Sequence, residues 1–205
     1  MNRTNYSDPS LNNSSRDDFE TNLVSVIIPC FNGSNFLAEA IESVLSQSYK
    51  YIELVIVDDG SEDNSYEIVS RYPEVKILRQ QNQGVASARN RGVKESEGKY
   101  LVFLDQDDRL LKDALEINLK YLKNFPDFAF VFGLSKQINK DGSPRPAKKS
   151  PISIDAQDYF EELLCGKICG AICPPSVVMF RRSYFEEVGG FKSELVPSDD
   201  YDLYF

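Results

Sequence analysis

The stretch Tyr100-Leu101-Val102-Phe103-Leu104-Asp105-Gln106-Asp107-Asp108 decides how this chain is read. Its apolar run has the length of a strand and stops abruptly at three carboxylates, which places the acids together at one strand end. Like charges a few Å apart drive one another's pKa upward, so such a cluster persists most easily when a hard cation sits among the oxygens. The pattern points to a divalent-metal site. The plainer alternative is an acidic turn in which one Asp caps a helix beginning near Leu111.

Upstream, the near-continuous apolar run Ile52 to Val57 reads as a strand covered on both faces, and it runs into Asp58-Asp59-Gly60-Ser61. A second buried strand thus ends in paired carboxylates. Before it, Val24 to Ile28 reads as a strand whose ladder Pro29 ends for want of an N–H. Cys30 to Gly33 forms a turn, and Ser34 or Asn35 caps a helix to Ser48 with Phe36, Leu37, Ala40, Ile41, Val44 and Leu45 at helical spacing. A helix from Asp63 to Arg71 and a strand from Val75 to Leu78 follow. Asn82-Gln83-Gly84 turns into a small-residue helix, Val85 to Gly92, whose first N–H groups are placed to face a phosphate.

Downstream come a helix from Lys112 to Asn124, a strand from Phe128 to Phe132, and Lys136 to Ser150, a basic segment with Gly142, Pro144 and Pro146 that reads as a mobile loop. A helix Asp155 to Leu164, a strand Val177 to Phe180 and a turn at Gly189-Gly190-Phe191 complete the pattern. Strand, turn and helix repeat four times. In open α/β sheets ligands bind at strand C-termini, so the two acidic clusters are expected to share one crevice. The fold class is therefore α/β, a single Rossmann-like domain with a mostly parallel sheet flanked by helices. Residues 1–22, rich in Asn, Ser, Asp and Thr, are expected to form a disordered N-terminal tail, leaving residues 23–205 as the domain. The chain stops within an acidic segment, Ser198 to Phe205, which suggests an incomplete C-terminal part of a longer protein.

Composition narrows the chemistry. The 205 residues are 41% hydrophobic and 12% aromatic, which suits one globular core. No apolar run approaches the roughly 18 residues of a transmembrane segment. A net charge of −9 argues against a nucleic-acid partner, which calls for a basic face. There is no His, which removes the usual general base and every Ser-His-Asp triad, so proton transfer falls to Asp and Glu. Cys30, Cys165, Cys169 and Cys173 make no disulfide framework, and their spacing fits no zinc pattern. With no signal peptide ahead of them, a reducing cytoplasm is the expected location; membrane association of a full-length protein stays open.

Taken together, these residues resemble the inverting family 2 glycosyltransferases, which have the GT-A fold. The matching pieces stand in family order: Val26-Ile27-Ile28-Pro29 with Asn32, Val57-Asp58-Asp59-Gly60-Ser61, Asn82 and Gly84 with Ala88-Arg89-Asn90 and Gly92. They continue through Gly98, Leu104-Asp105-Gln106-Asp107-Asp108, Phe180-Arg181-Arg182, Val188-Gly189-Gly190-Phe191 and Asp199-Asp200-Tyr201-Asp202-Leu203. The resemblance covers Leu23 to Phe205.

The resemblance implies a donor site of Pro29, Asn32, Asp59, Gly84, Arg89, Asp105 and Asp108. In it Asp59 hydrogen-bonds the base, and Asp105 lies near the ribose or sugar. Asp107 or Asp108 ligates Mg²⁺ or Mn²⁺ on the diphosphate. Arg89 either orients Asp105, meets the sugar or forms a structural ion pair. Asp200 matches the catalytic base, although the pair begins with Asp199 where the family usually has Glu. The implied partners are a nucleotide-diphosphate sugar, with uracil-linked donors foremost, and a glycan or lipid-linked acceptor in polysaccharide or cell-surface glycan synthesis. Two other readings remain: a nucleotide-sugar-binding module without catalysis, and a Mg²⁺-binding receiver-type signalling domain. The second requires a Ser/Thr and a Lys closing two later strands of a five-strand repeat, and neither stands at such a place.

Overall fold

The computed structural model describes residues 22–145 and 175–195. Six strands form one sheet: β1 (Val24–Cys30), β2 (Ile52–Asp58), β3 (Lys76–Arg79), β4 (Tyr100–Phe103), β5 (Phe130–Phe132) and β6 (Val178–Arg181). Their order is β3-β2-β1-β4-β6-β5, with β3, β2, β1 and β4 mutually parallel and β6 antiparallel to both β4 and β5. The mostly parallel α/β sheet expected from the sequence is present. The antiparallel β6 lodged beside β4 departs from the five-strand repeat of a receiver domain.

Helices cover both faces. Alternate residues of β1 (Val24, Val26, Ile28, Cys30) join Leu54, Ile56, Tyr100 and Val102 on one face. There they pack against Leu37, Ala40, Ile41 and Val44 of α1 (Leu37–Leu45), Val69 of α2 (Ser65–Val69), and Leu115, Leu119 and Leu122 of α4 (Ala114–Asn124). On the other face Ile27, Val55, Val57, Leu101, Phe103 and Phe180 meet Ala86, Ala88 and Val93 of α3 (Val85–Lys94), together with Phe185 of α5 (Arg182–Glu187) and Phe191. Phe103 sits in an aromatic nest, 4.7 Å from Phe191 and 5.2 Å from Phe185 between ring centroids. Small residues in α3 allow the close approach, since a Cβ at Gly92 would run into Ile27. Each fully buried aliphatic or aromatic side chain contributes about 1.5–3 kcal/mol, so β1, buried along its whole length, anchors the fold.

Several local expectations are corrected. Pro29 does not end β1, which pairs with β2 through Cys30↔Asp58. The reason lies in the alternation of a parallel strand. Leu23 and Ile27 accept from Tyr100 and Leu104 on the β4 side, whereas Val24 and Cys30 bond Tyr51 and Asp59 on the β2 side. Pro29 therefore turns its donor-less nitrogen toward β4, whose pairing with β1 has already stopped at Ile27↔Phe103. Neither Ser34 nor Asn35 caps α1 with its side chain; the preceding N–H groups are met from another segment, as described below. The helix expected over Asp63 to Arg71 shortens to Ser65–Val69. Within the expected mobile loop, residues 136–145 form a tight reversal closed by an Ile138↔Pro144 bridge and by Arg145 N–H to the Gln137 carbonyl at 2.8 Å.

The expected tail through residue 21, the helix Asp155 to Leu164, Cys165, Cys169, Cys173, Asp199 and Asp200 lie outside the described residues. Among those described, no helix is long and apolar enough to cross a membrane.

Candidate active site

The C-terminal ends of β1, β2 and β4 lie side by side and open into a cleft of about 320 Å³. Its walls include Pro29, Cys30 and Phe31 after β1, Asp59 after β2, Val85 and Arg89 on α3, and Asp105, Gln106 and Asp107 after β4. The two acidic clusters read from the sequence do share one crevice. They serve it differently.

After β2 the acids are spent on the protein itself. Asp58, 1% exposed, accepts from the Ser61 N–H at 2.8 Å and faces Arg79 Nε at 3.3 Å. It closes the turn. Asp59 lines the cleft, and its Oδ1 accepts from Gln80 Nε2 at 2.8 Å and from the Gln83 N–H at 2.9 Å, while Oδ2 accepts from the Gly84 N–H at 2.8 Å. Gly84, at φ 88°, starts α3, so the anion at this helix N-terminus is a carboxylate of the chain rather than a phosphate. The N–H groups that it takes, those of Gln83 and Gly84, stand just ahead of the helix proper, whose first residue, Val85, lines the cleft. A carboxylate offers about four acceptor sites, so one on Oδ2 remains toward the cleft.

The turn after β1 is held by the segment after β2. Consecutive N–H groups of Asn32, Gly33 and Ser34 donate to Ser61 Oγ at 3.0 Å, Ser65 Oγ at 2.9 Å and Asp63 Oδ2 at 2.9 Å. Burial alone would raise the Asp63 carboxyl, but hydrogen bonds from Ser65 and Ser34 outweigh it and hold the group at about 2. Asn32 adopts φ 53°, and its side-chain oxygen accepts from the Glu62 N–H at 2.9 Å. It is not among the cleft-lining residues. Its role here is to let the turn adopt a left-handed conformation. The buried Cys30 thiol is pushed up from its ordinary pKa by burial, which makes it an inert wall residue.

After β4 the three carboxylates diverge. Asp105 Oδ1 accepts from Arg89 at 2.8 Å; the guanidinium is almost fully buried and lies 5.0 Å from the Phe191 ring centroid. Asp108 accepts from Ser176 Oγ, across from the start of β6. Burial raises the Asp108 carboxyl, the Ser176 hydrogen bond opposes that, and the charges of Asp105 and Asp107 add to it. Asp107 stands exposed at the cleft mouth. Among the described residues no three His, Cys, Asp or Glu side chains converge to cage a metal. The three-carboxylate cage suggested by the sequence is thus replaced by one outward carboxylate, Asp107, beside two that the protein engages. This still fits Mg²⁺ or Mn²⁺, which take one or two protein carboxylates and complete their shell with phosphate oxygens and water.

Three participants escaped the sequence reading. Phe31 and Gln106 line the cleft, and Ser176 meets Asp108 from 68 residues away. Only Gln106, flanked by acids, carried a local signal.

The comparisons with known proteins agree with this geometry. The sequence profile described as Glycosyl transferase family 2 matches residues 25–189. An uncharacterized glycosyltransferase of Rickettsia bellii is 33% identical over 89% of this chain and 27% of its own length. The chondroitin synthase of Pasteurella multocida is 31% identical over 89% of this chain and 18% of its own. The chain therefore spans under a third of the length of these curated relatives. Among solved structures, S. aureus TarS in complex with UDP superposes with a TM-score of 0.71 at 21% identity, over 88% of this chain and 54% of that one. A mannosyltransferase from Pyrobaculum calidifontis in complex with GDP-Man and Mn²⁺ gives 0.64 at 21% identity, over 87% and 50%.

Proposed function

Because this chain belongs to glycosyl transferase family 2, we propose that it transfers a sugar from a nucleoside-diphosphate donor to a hydroxyl acceptor with inversion at the anomeric carbon. The observation that carries the reading is the exposed Asp107 carboxylate at the mouth of a cleft whose other walls bring Asp59 and the Arg89–Asp105 pair together. The proteins of similar fold bind UDP in one case and GDP-Man with Mn²⁺ in another, which supports a nucleotide-sugar ligand.

In this reading the base lies between Pro29, the Phe31 ring and Asp59, whose remaining acceptor site suits one N–H of a uracil or guanine edge. Arg89 holds Asp105 in place near the ribose or sugar, so its ion pair is a positioning contact. Asp107 is the direct metal ligand and Asp108, tied to Ser176, stands behind it. When bound there, Mg²⁺ or Mn²⁺ supplies neutralisation of the charge that grows on the leaving diphosphate. Asp200, with Asp199 as its neighbour, accepts the proton of the attacking hydroxyl; in a chain without His a carboxylate is the suitable base. Attack from the face opposite the diphosphate inverts the configuration in one step, with no sugar–enzyme bond.

Calorimetric titration of UDP and GDP into the full-length protein tests the site. Tighter binding in Mn²⁺ than in EDTA is expected, and equal affinity rules the metal site out. Turnover of a nucleotide-sugar panel then separates an enzyme from a module that only binds.

A further inference from the structure

We infer that Gln106, the residue between Asp105 and Asp107, is a positioning residue that sets the metal-bearing turn against the nucleotide wall; the inference rests on the function proposed above. The side-chain amide of Gln106 grips the backbone of Phe31 at both ends. Oε1 accepts from the Phe31 N–H at 2.9 Å, and Nε2 donates to the Phe31 carbonyl at 3.1 Å. These residues are 75 positions apart in sequence.

The clasp stands where the sheet runs out. The β4-side positions of β1 are alternate residues, with Leu23 and Ile27 accepting from Tyr100 and Leu104. Pro29 follows at the same parity and offers no donor, and Phe31 is the next position facing that way. By then β4 has ended, and the Gln106 amide takes the place that a strand backbone would occupy. It restores a two-bond rung across the gap. Gly33 leaves the space for it, because a Cβ there would collide with the Gln106 amide.

Both walls so joined line the same cleft, with Phe31 on one and Asp105 and Asp107 on the other; in the proposed reading Phe31 meets the base and Asp107 the metal-bound diphosphate. A side chain that only satisfied the loop would serve stability alone. A rung that fixes the distance between the two walls couples base binding to metal binding, because both halves of one ligand must reach their partners together.

UDP binding by the full-length protein, in Mn²⁺ and in EDTA, separates these roles. In wild type the affinity rises with Mn²⁺. Gln106→Ala is expected to lose about 10-fold of that gain, the lower end of what outer partners of a metal site contribute. Gln106→Glu keeps an acceptor for the Phe31 N–H but sets a carboxylate against the Phe31 carbonyl, and is expected to show the same loss. It carries the test if the alanine variant does not fold. A variant that melts lower yet keeps the full Mn²⁺ gain overturns the inference. Wild type with no Mn²⁺ gain instead overturns the proposed metal site, and this inference with it.

Discussion

At the N-terminal edge of the parallel strands, Glu53 Oε1 accepts from Ser25 Oγ at 2.5 Å and from the N–H groups of Glu97 and Gly98 at 2.6 and 2.7 Å. Beside it Arg182, mostly buried, donates to the carbonyls of Gly98 at 2.5 Å and Val93 at 3.0 Å, and to Ser96 Oγ at 2.8 Å. At the C-terminal edge the same kinds of groups are arranged otherwise. Asp58 and Asp59 are bonded by the chain, Asp105 has its arginine, and Asp107 faces outward with no hydrogen bond or ion pair among the described residues. Charge at the first edge is closed in on itself and can only hold the fold together. Charge at the second is left partly unspent, which a stable fold tolerates where a ligand supplies the counter-charge.

The contrast is testable, since substitutions at one edge should change chemistry and at the other stability. The largest effect is expected from Asp200→Asn in the full-length protein, with turnover falling about 10²–10⁴-fold while donor binding is kept. Transfer within a few-fold of wild type removes Asp200 from the role and makes Asp199→Asn the next variant. Arg182→Met, at the N-terminal edge, takes the guanidinium donor from the Gly98 carbonyl and from Ser96 Oγ and is expected to cost about 1–3 kcal/mol in chemical denaturation. Nucleotide affinity should not change; a variant that loses affinity at full stability breaks the division between the edges. Asp107→Asn is expected to reverse that pattern, with the melting temperature preserved and Mn²⁺-dependent UDP affinity reduced by at least about 10-fold.

The smallest effect sharpens the boundary within the C-terminal edge. Asp63 holds the β1 turn rather than a ligand, and its carboxyl sits at about 2, below its ordinary value. A carboxyl held low in the folded state stabilises the fold above roughly pH 4, and that stabilisation is lost as pH falls toward 2. Asp63→Asn should therefore lower the melting temperature near neutrality and flatten its acid limb between about pH 4 and pH 2, so that variant and wild type converge at the acid end. An unaltered limb shows that the Ser34 and Ser65 hydrogen bonds do not favour the ionised form.

Much of this was legible in the chain alone. Buried strands announce themselves by apolar runs such as Ile52 to Val57, because a strand covered on both faces has no polar side to show. The acids that interrupt these runs at Asp58 and Asp105 located the crevice, since a strand end is where backbone and charge emerge together. The Pro29 reading failed because proline's cost depends on which neighbour its nitrogen faces, and that is settled by strand order. The α1 cap failed because the acceptors for the Asn32, Gly33 and Ser34 N–H groups come from residues 61–65, beyond any local rule.

What the sequence by itself determined was the set of elements and the position of every carboxylate along them, for hydrophobic periodicity and chain direction are local properties. Only the tertiary structure decided which carboxylates were spent. Asp59 is engaged by Gln80, Gln83 and Gly84, Asp105 by Arg89 and Asp108 by Ser176, and the last of these partners stands just ahead of β6, the strand that runs against its neighbours. A hydrogen bond forms only within about 3 Å, so its existence depends on the distance between elements, which the sheet order sets and one-dimensional spacing does not encode.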